Sequence, residues 1–506
     1  MGRRPEAAAA WAARMREAYT GAQFTEAAAI YDERGSAAVA PLELVLMRAR
    51  IALGRDPATA LDLVLAQRKR FGHRPDSFAA EVLLGSSFAA LRDYSTADAH
   101  FERARTLLDR RAFAETTMLA AARARRYVHE GRIGDAWRCY ETTLVDRRLE
   151  GSIESERLKA EIHGAEARFG EQAHALTRLL GLIGGAIDTH LAVWYEAVAQ
   201  LGHLACELPA PAAVSTVANA LHARSQWSAD FTPQRFASVR SLAWCKVLGG
   251  DMLGSFRYLR EAAALAENIG SAPLRAIVML DRAQFARNAG EEHWCANETA
   301  AASELLREVD WLHAGIEERS ALPLLAEVLA PADPEGAAAA IARYATLAPA
   351  LDPVALGVRG LVHLASGRSR DGVRDLSAAY DGFERAGSEW RAGKAALELA
   401  KATGATRWRL LALENLEFYA NSWLFAAAQA MAQLPGTAEG LSLTPMQERV
   451  FHMICEGLST DAIAARLGRS SSTIRNHIKL IFKALGVRSR AALVAKAARE
   501  GRFTLP

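Results

Sequence analysis

Two stretches of this chain, thirty-nine residues apart, repeat one arrangement of small and large side chains. In VLLGSSFAALRDYSTADAHFERA, Gly85 is followed by Phe88, Ala97, Phe101 and Ala104, at offsets of 3, 12, 16 and 19. In AARARRYVHEGRIGDAWRCYETT, Ala124, Tyr127, Ala136, Tyr140 and Thr143 stand at the same offsets, with Gly131 added at offset 7. RGLVHLASGRSRDGVRDLSAAY repeats the pattern through Gly360, His363, Gly367, Gly372, Leu376 and Ala379. Weaker copies run through Ala243, Gly250, Ser255, Leu259 and Ala262, and through Ala60 and Val64. The spacing has a direct physical meaning. Two antiparallel helices approach closely only where small residues face each other, and a bulky residue one turn along fills the gap to the next pair. Such a hairpin leaves one face bare, so copies must stack into a superhelix with a concave groove.

The rest of the chain up to residue 433 agrees with this architecture. Ala, Leu, Arg and Glu dominate, all good helix formers, and runs of alternating β-branched residues are missing, so no sheet is expected. Gly54-Arg55-Asp56-Pro57, Gly131, Gly249-Gly250, Gly290 and Gly367 act as breakers. The offsets resemble the tetratricopeptide repeat (TPR), although the thirty-nine-residue spacing exceeds its usual period of about 34. That resemblance implies an all-α chain, a TPR-like α-solenoid over 1–433, whose groove binds a peptide, a protein or a small-molecule ligand. LPGTAEGLS, rich in Pro, Gly, Ser and Thr, reads as a linker over 434–442. Gly393-Lys394 is no phosphate-binding loop: no Gly stands five residues before Gly393, and Ala395 follows the Lys.

Composition narrows the class. Of 506 residues, 51% are hydrophobic and 24% charged, the balance of a soluble globular chain. No apolar run approaches the roughly 20 residues of a membrane span. The opening MGRRPEAAAAWAARMREAY is interrupted by Glu6, Arg14 and Arg16, and reads as a first helix rather than a leader. Five scattered cysteines (Cys139, Cys206, Cys245, Cys295, Cys455) form no CxxC pair and no zinc spacing; buried thiols in a reducing, cytoplasmic setting are expected. With no nucleotide loop, metal cluster or nucleophile–base motif, neither a cofactor nor a metal nor an enzyme activity is expected. The net charge of +3 is uneven. From Leu441 onward eleven Lys and Arg face four Asp and Glu, leaving the remainder at −4. A basic tail on an acidic body points to the tail as the part that meets a polyanion.

That tail, residues 443–506, parses into four short helices. Thr444, Pro445 and Gln447 form a capping box with proline at the first helical position. Val450, Phe451, Ile454 and Cys455 make an apolar stripe, and Gly457 stops the first helix. Ser459 caps a second helix with Ile463, Ala464 and Leu467 inward, ended by Gly468. Ser470 caps a third, in which Ile474, Ile478, Ile481 and Leu485 share one buried face. Gly486 ends it, and an Ala-rich fourth helix with Leu493 and Val494 begins near Ser489. Away from the stripe, the third helix carries Arg475, Asn476, Lys479 and Lys483. Cations with an amide beside them suit the major groove, where Arg and Lys donate to guanine and Asn pairs with adenine. Ser471, Ser472 and Thr473 offer hydroxyl and N–H donors to phosphate at the helix N-terminus.

The tail resembles the LuxR/GerE-type helix-turn-helix domain. The matching residues are Leu443-Thr444-Pro445, Gly457-Leu458-Ser459, Ile463-Ala464 with Leu467, Thr473-Ile474-Arg475 with His477, and Leu485-Gly486-Val487 with Ser489-Arg490. The resemblance implies a transcriptional regulator that binds double-stranded DNA as a homodimer. Its recognition helix, at about 471–485, would read bases through Arg475, Asn476 and Lys479. Thr473, His477 and Lys483, with Ser471 and Ser472, would position it on phosphates. His477 has a second reading, as a helix-packing residue. Three departures stand out: Met446-Gln447 where the family has Arg-Glu, Arg469 where Ile is frequent, and Ala484 where Lys is frequent. They leave open an alternative, a TPR-type interaction scaffold with a weak DNA-binding tail. No receiver domain precedes the repeats, since the chain opens with helices rather than βαβ units.

Overall fold

A computed structural model describes residues 3–33, 40–53, 56–72, 74–108, 113–141, 151–166, 168–224, 227–312, 314–347, 351–433, 443–485, 487, 489–490 and 493–494. Gly54-Arg55, Thr143, Gly486, the linker expected at 434–442 and most of the fourth tail helix lie outside the described residues. Among the described residues the fold is all-α, without a strand. Helices pair in sequence as antiparallel hairpins: Arg74–Ala90 with Tyr94–Leu107, Phe113–Glu130 with Ile133–Tyr140, Pro353–Ala365 with Ser369–Ala386. This is the TPR-like solenoid that the spacing predicts.

The small residues of the pattern stand where the helices touch. A Cβ on Gly85 would lie 2.5 Å from the buried ring of Phe101. Gly360 and Gly372 cross so closely that a Cβ on Gly360 would come within 2.8 Å of Leu376 Cγ and 3.0 Å of its backbone N. The offset-7 position is the hairpin turn, and the chain takes a left-handed conformation there. Gly131, Gly250 and Gly367 have φ of 79°, 85° and 75°. In the first copy the same position is Arg92, forced to φ 64° without glycine's freedom.

The turn geometry reveals two further copies. Ala22, at φ 55°, is the turn of a hairpin from Arg3–Thr20 and Phe24–Asp32; counting back puts Met15 at offset zero, with Ala18, Ala27 and Tyr31 following, all buried. Gly290, at φ 80°, plays that part between Ala272–Asn288 and Glu292–Leu306, where Ala283, Cys295, Thr299 and Ala302 are buried.

The chain divides into two compact units. One comprises residues 1–245 with 257–270. In it the tip of the first hairpin is pinned some two hundred residues downstream: Ser228 Oγ donates to the Ala22 carbonyl at 2.7 Å, and Thr25 N donates to Asp230 at 3.0 Å. Phe24 meets Phe231 edge-on, beside Tyr195 stacked on Trp227 at 4.6 Å. Arg125 lies between Glu154 and Glu161 at 2.7 and 2.6 Å, an ion triad joining neighbouring hairpins. Cys206 is buried here, but Cys139 and Cys245 are only half-buried; their thiols donate to the carbonyls of Ala120 and Ala205. The expectation of buried thiols holds for three of the five cysteines, with Cys295 and Cys455.

The other unit comprises 246–256 and 271–506, and includes both the later hairpins and the tail. Gly393 abuts Leu416, and Lys394 pairs with Glu327, so the Gly-Lys dipeptide is packing and ion pairing. The last hairpin helices are Glu389–Thr403, Thr406–Leu416 and Trp423–Gln433, with a short 3-10 turn at Glu417–Tyr419. No helix of the described residues is long and apolar enough to cross a membrane.

Candidate nucleic-acid interface

The tail builds its own core. Its helices run Pro445–Cys455, Thr460–Leu467 and Ser471–Leu485. Val450, Phe451, Ile463, Ile474, Ile481 and Leu493 are fully enclosed, and Leu443, Ile454, Cys455, Ala464, Ile478, Ala484 and Leu485 join them. Each helix start is capped as the sequence demands. Thr444 Oγ1 accepts from Gln447 N while Gln447 Oε1 accepts from Thr444 N, a reciprocal box that offsets two orphan donors. Ser459 and Ser470 accept from Ala462 N and Thr473 N at 3.2 and 3.1 Å. Gly468, at φ 62°, makes the left-handed turn between the second and third helices. Ser471 Oγ donates to Asp461 at 2.6 Å across that turn. Arg490 donates to the Leu458 carbonyl and to Thr460 Oγ1, tying the start of the second helix to the chain beyond the third.

This arrangement puts Arg475, Asn476, Lys479 and Lys483 together on the exposed side of the third helix, opposite its isoleucine stripe. Arg475, Lys479 and Lys483 have no ion-pair partner among the described residues, so three unneutralised cations share one rigid face. Thr473 and Ser471 are half-buried near the helix start. The backbone of Ser472 begins the helix beside them. His477 differs from the rest. It is 4% exposed, its Nδ1 lacks a hydrogen bond, and it faces the solenoid.

The surface it faces was not legible in the sequence. Four carboxylates of the last hairpins, Glu384, Glu389, Glu414 and Glu417, line a cavity of about 680 Å³ together with Arg469, Thr473 and His477 of the tail. Arg469 pairs with Glu389 at 2.5 Å. Thr444 Oγ1 donates to Glu414 at 2.5 Å, while its lone pair still receives Gln447 N. The Asn476 amide donates to Glu417. His477 Nδ1 stands 3.9 Å from Glu414, beyond hydrogen-bond reach. Burial, with Glu384 and Glu389 nearby, pushes the Glu414 carboxyl up to about 7 against the opposing hydrogen bond from Thr444. Burial and then Arg469 push His477 down to about 4. Near neutrality His477 is uncharged and Glu414 is about half protonated, the direction in which a desolvated seam drives both groups.

Two of the tail's departures fall on this seam: Arg469 reaches Glu389, and Met446 lines the cavity. The third, Ala484, lies in the tail's core, where a lysine would bury its charge. Among the described residues no group of three or more His, Cys, Asp or Glu is placed to hold a metal ion.

Three short helices around one core, with a left-handed turn before a basic third helix, define a helix-turn-helix domain. Residues 441–497 match the family described as bacterial regulatory proteins, luxR family. Spore germination protein GerE of Bacillus subtilis is 35% identical over 63 residues, 12% of this chain and 85% of that protein. The chain belongs to the luxR family of bacterial regulatory proteins. A protein of Aeromonas salmonicida named as an HTH-type transcriptional regulator is 37% identical over 84 residues, covering 17% of this chain and 41% of its own. A Mycobacterium bovis protein named likewise is 43% identical over 60 residues, 12% of this chain, and the match spans 7% of that relative's length. Among solved structures, the Cut9–Hcn1 assembly is 12% identical, with 98% of this chain and 96% of that one covered at a TM-score of 0.36. Yeast Tom70 is 11% identical, with 84% and 96% covered at 0.28. The helix packing described above, rather than these likenesses, defines the repeat architecture.

Proposed function

We propose that the protein is a DNA-binding transcriptional regulator whose third tail helix enters the major groove. The observation that supports this most is the face of Arg475, Lys479 and Lys483, uncompensated and exposed on a helix whose other side is locked into a core. In this reading Arg475, Asn476 and Lys479 contact base edges, and Ser471, Ser472, Thr473 and Lys483 contact phosphates. His477 helps position the helix on the phosphates once it is free of the solenoid. A homodimer places two such helices in successive major grooves, on inverted half-sites about one helical turn apart. The solenoid supplies the surface for a partner or ligand, so the chemistry of the chain is recognition rather than catalysis.

The test is selection from a pool of random duplexes by the full-length protein, followed by titration of enriched sequences at two salt concentrations. An enriched inverted repeat, bound far more tightly than bulk DNA and with a steep salt dependence, is the expected result. Absence of enrichment, together with salt-insensitive or undetectable binding, would remove the DNA reading and leave the solenoid as the active part.

A further inference from the structure

We infer that the last hairpins of the solenoid are a docking surface for this chain's own recognition helix, a carboxylate surface that competes with DNA for it. The inference rests on the DNA-binding reading above and adds what controls it. One contact across the seam takes a group that a duplex would need, and the others hold the tail beside it. Glu417 accepts from the Asn476 amide, the donor of a bidentate pairing with adenine. Glu389 neutralises Arg469, which immediately precedes the helix cap Ser470. Glu414 holds Thr444 at the start of the first tail helix. Thr473 and Ser470 line the same cavity, so the helix N-terminus, where phosphates bind, is turned toward four carboxylates. A phosphate cannot approach that end without meeting Glu384, Glu389, Glu414 and Glu417. DNA and the solenoid therefore exclude each other at the N-terminal half of the helix.

The C-terminal half is left differently. Lys479 and Lys483 are exposed and without ion-pair partners among the described residues. The docked protein keeps its attraction for any polyanion through these lysines and the equally exposed Arg475, but its Asn476 amide and the N-terminal end of the helix are occupied. Docking thus suppresses sequence-selective binding more than non-selective binding, and the apparent affinity for a selected site is reduced by the undocked fraction.

The experiment uses the full chain with Glu389→Gln, Glu414→Gln and Glu417→Gln combined, beside the single Glu417→Gln at a half-exposed position. Two readouts are taken: hydrogen exchange of residues 406–419 and 471–485, and affinity for a duplex that the triple variant enriches from a random pool. Expected are faster exchange in both segments and an affinity at least about tenfold above wild type, with a smaller gain on scrambled duplex. The single variant lies between. Faster exchange with unchanged affinity for the selected duplex overturns the inference and leaves the DNA reading standing. Unchanged exchange in both variants also overturns it, since the seam would then not hold the helix. If neither chain enriches any duplex, the DNA reading fails and this inference falls with it; the exchange data report the seam separately.

Discussion

Glu414 and His477 make opposite and nearly equal demands on pH, and removing one of them should expose the other. The Glu414 carboxyl rises from an ordinary 4.5 to about 7 in the folded seam. Between those values the folded form holds more protons than the unfolded one. Its contribution is fully present below 4.5 and is lost as pH rises through 7, at about 1.4 kcal/mol per pH unit, about 3 kcal/mol in all. His477 falls from 6.5 to about 4. The unfolded chain takes up that proton first, so its contribution is present above 6.5 and is lost as pH falls through 4, again by about 3 kcal/mol. Both side chains are enclosed, at 11% and 5% exposed, so solvent screening leaves these magnitudes of the right order. Glu384, Glu389 and Arg469 also face the pair.

Over about pH 4.5 to 6.5 the two slopes cancel, and the wild-type pair contributes almost no pH dependence. Glu414→Gln deletes one slope and keeps the shape of the side chain. The variant should lose about 2 kcal/mol relative to wild type between pH 6.5 and pH 5. Urea midpoints at half-unit steps of pH, compared as variant minus wild type, remove the titration of every other group from the result. Parallel curves for the two proteins would refute the reasoning, because they would mean that the two groups do not titrate against each other inside the seam.

The remaining predictions concern the repeats and the interface. Gly360→Ala places a Cβ within 3.0 Å of both Leu376 Cγ and its backbone N, so the helices must part; a loss of about 1–3 kcal/mol in urea unfolding is expected. Arg92→Gly relieves a left-handed arginine at a turn where four other copies have glycine, and should stabilise by about 1 kcal/mol in the same assay. Arg475→Ala should cost about 1–3 kcal/mol on a selected duplex and relax selectivity at one base position, as read by competition binding. Lys483→Ala should instead weaken binding evenly on all duplexes and lower the salt slope by about 1.

How much of this was legible in the sequence depended on the range of the interaction. The small-residue crossings were readable because Gly85 and Phe101, or Gly360 and Leu376, lie sixteen residues apart in one hairpin. The caps at Thr444, Ser459 and Ser470 were readable because each donor stands three residues from its acceptor. Two copies escaped because their offset-zero and offset-16 residues are atypical. Met15 replaces a small residue, and Thr299 replaces a large one, so only the left-handed turns at Ala22 and Gly290 reveal them. The pinning of the first hairpin by Ser228 and Asp230 has no local signature, since its partners are some two hundred residues apart.

The seam shows the same limit and something more. The charge asymmetry between tail and body was visible as net charge, but not which carboxylates meet which helix. Glu417 and Asn476 are 59 residues apart, and Glu389 and Arg469 are 80. What the sequence did show was a set of departures from a family pattern, each open to being read as weakening of the DNA surface. Placed in the structure, they separate by cause. Ala484 packs in the tail's core, while Arg469 and Met446 border the solenoid. The N-terminal half of the third helix thus serves two surfaces at once. Its residues must suit carboxylates when docked and phosphates and base edges when free. Asn476 and the hydroxyls near the helix start can do both, because an amide or hydroxyl donates equally to a carboxylate, a phosphate or a purine. A residue specialised for one of the two partners would disable the exchange between them.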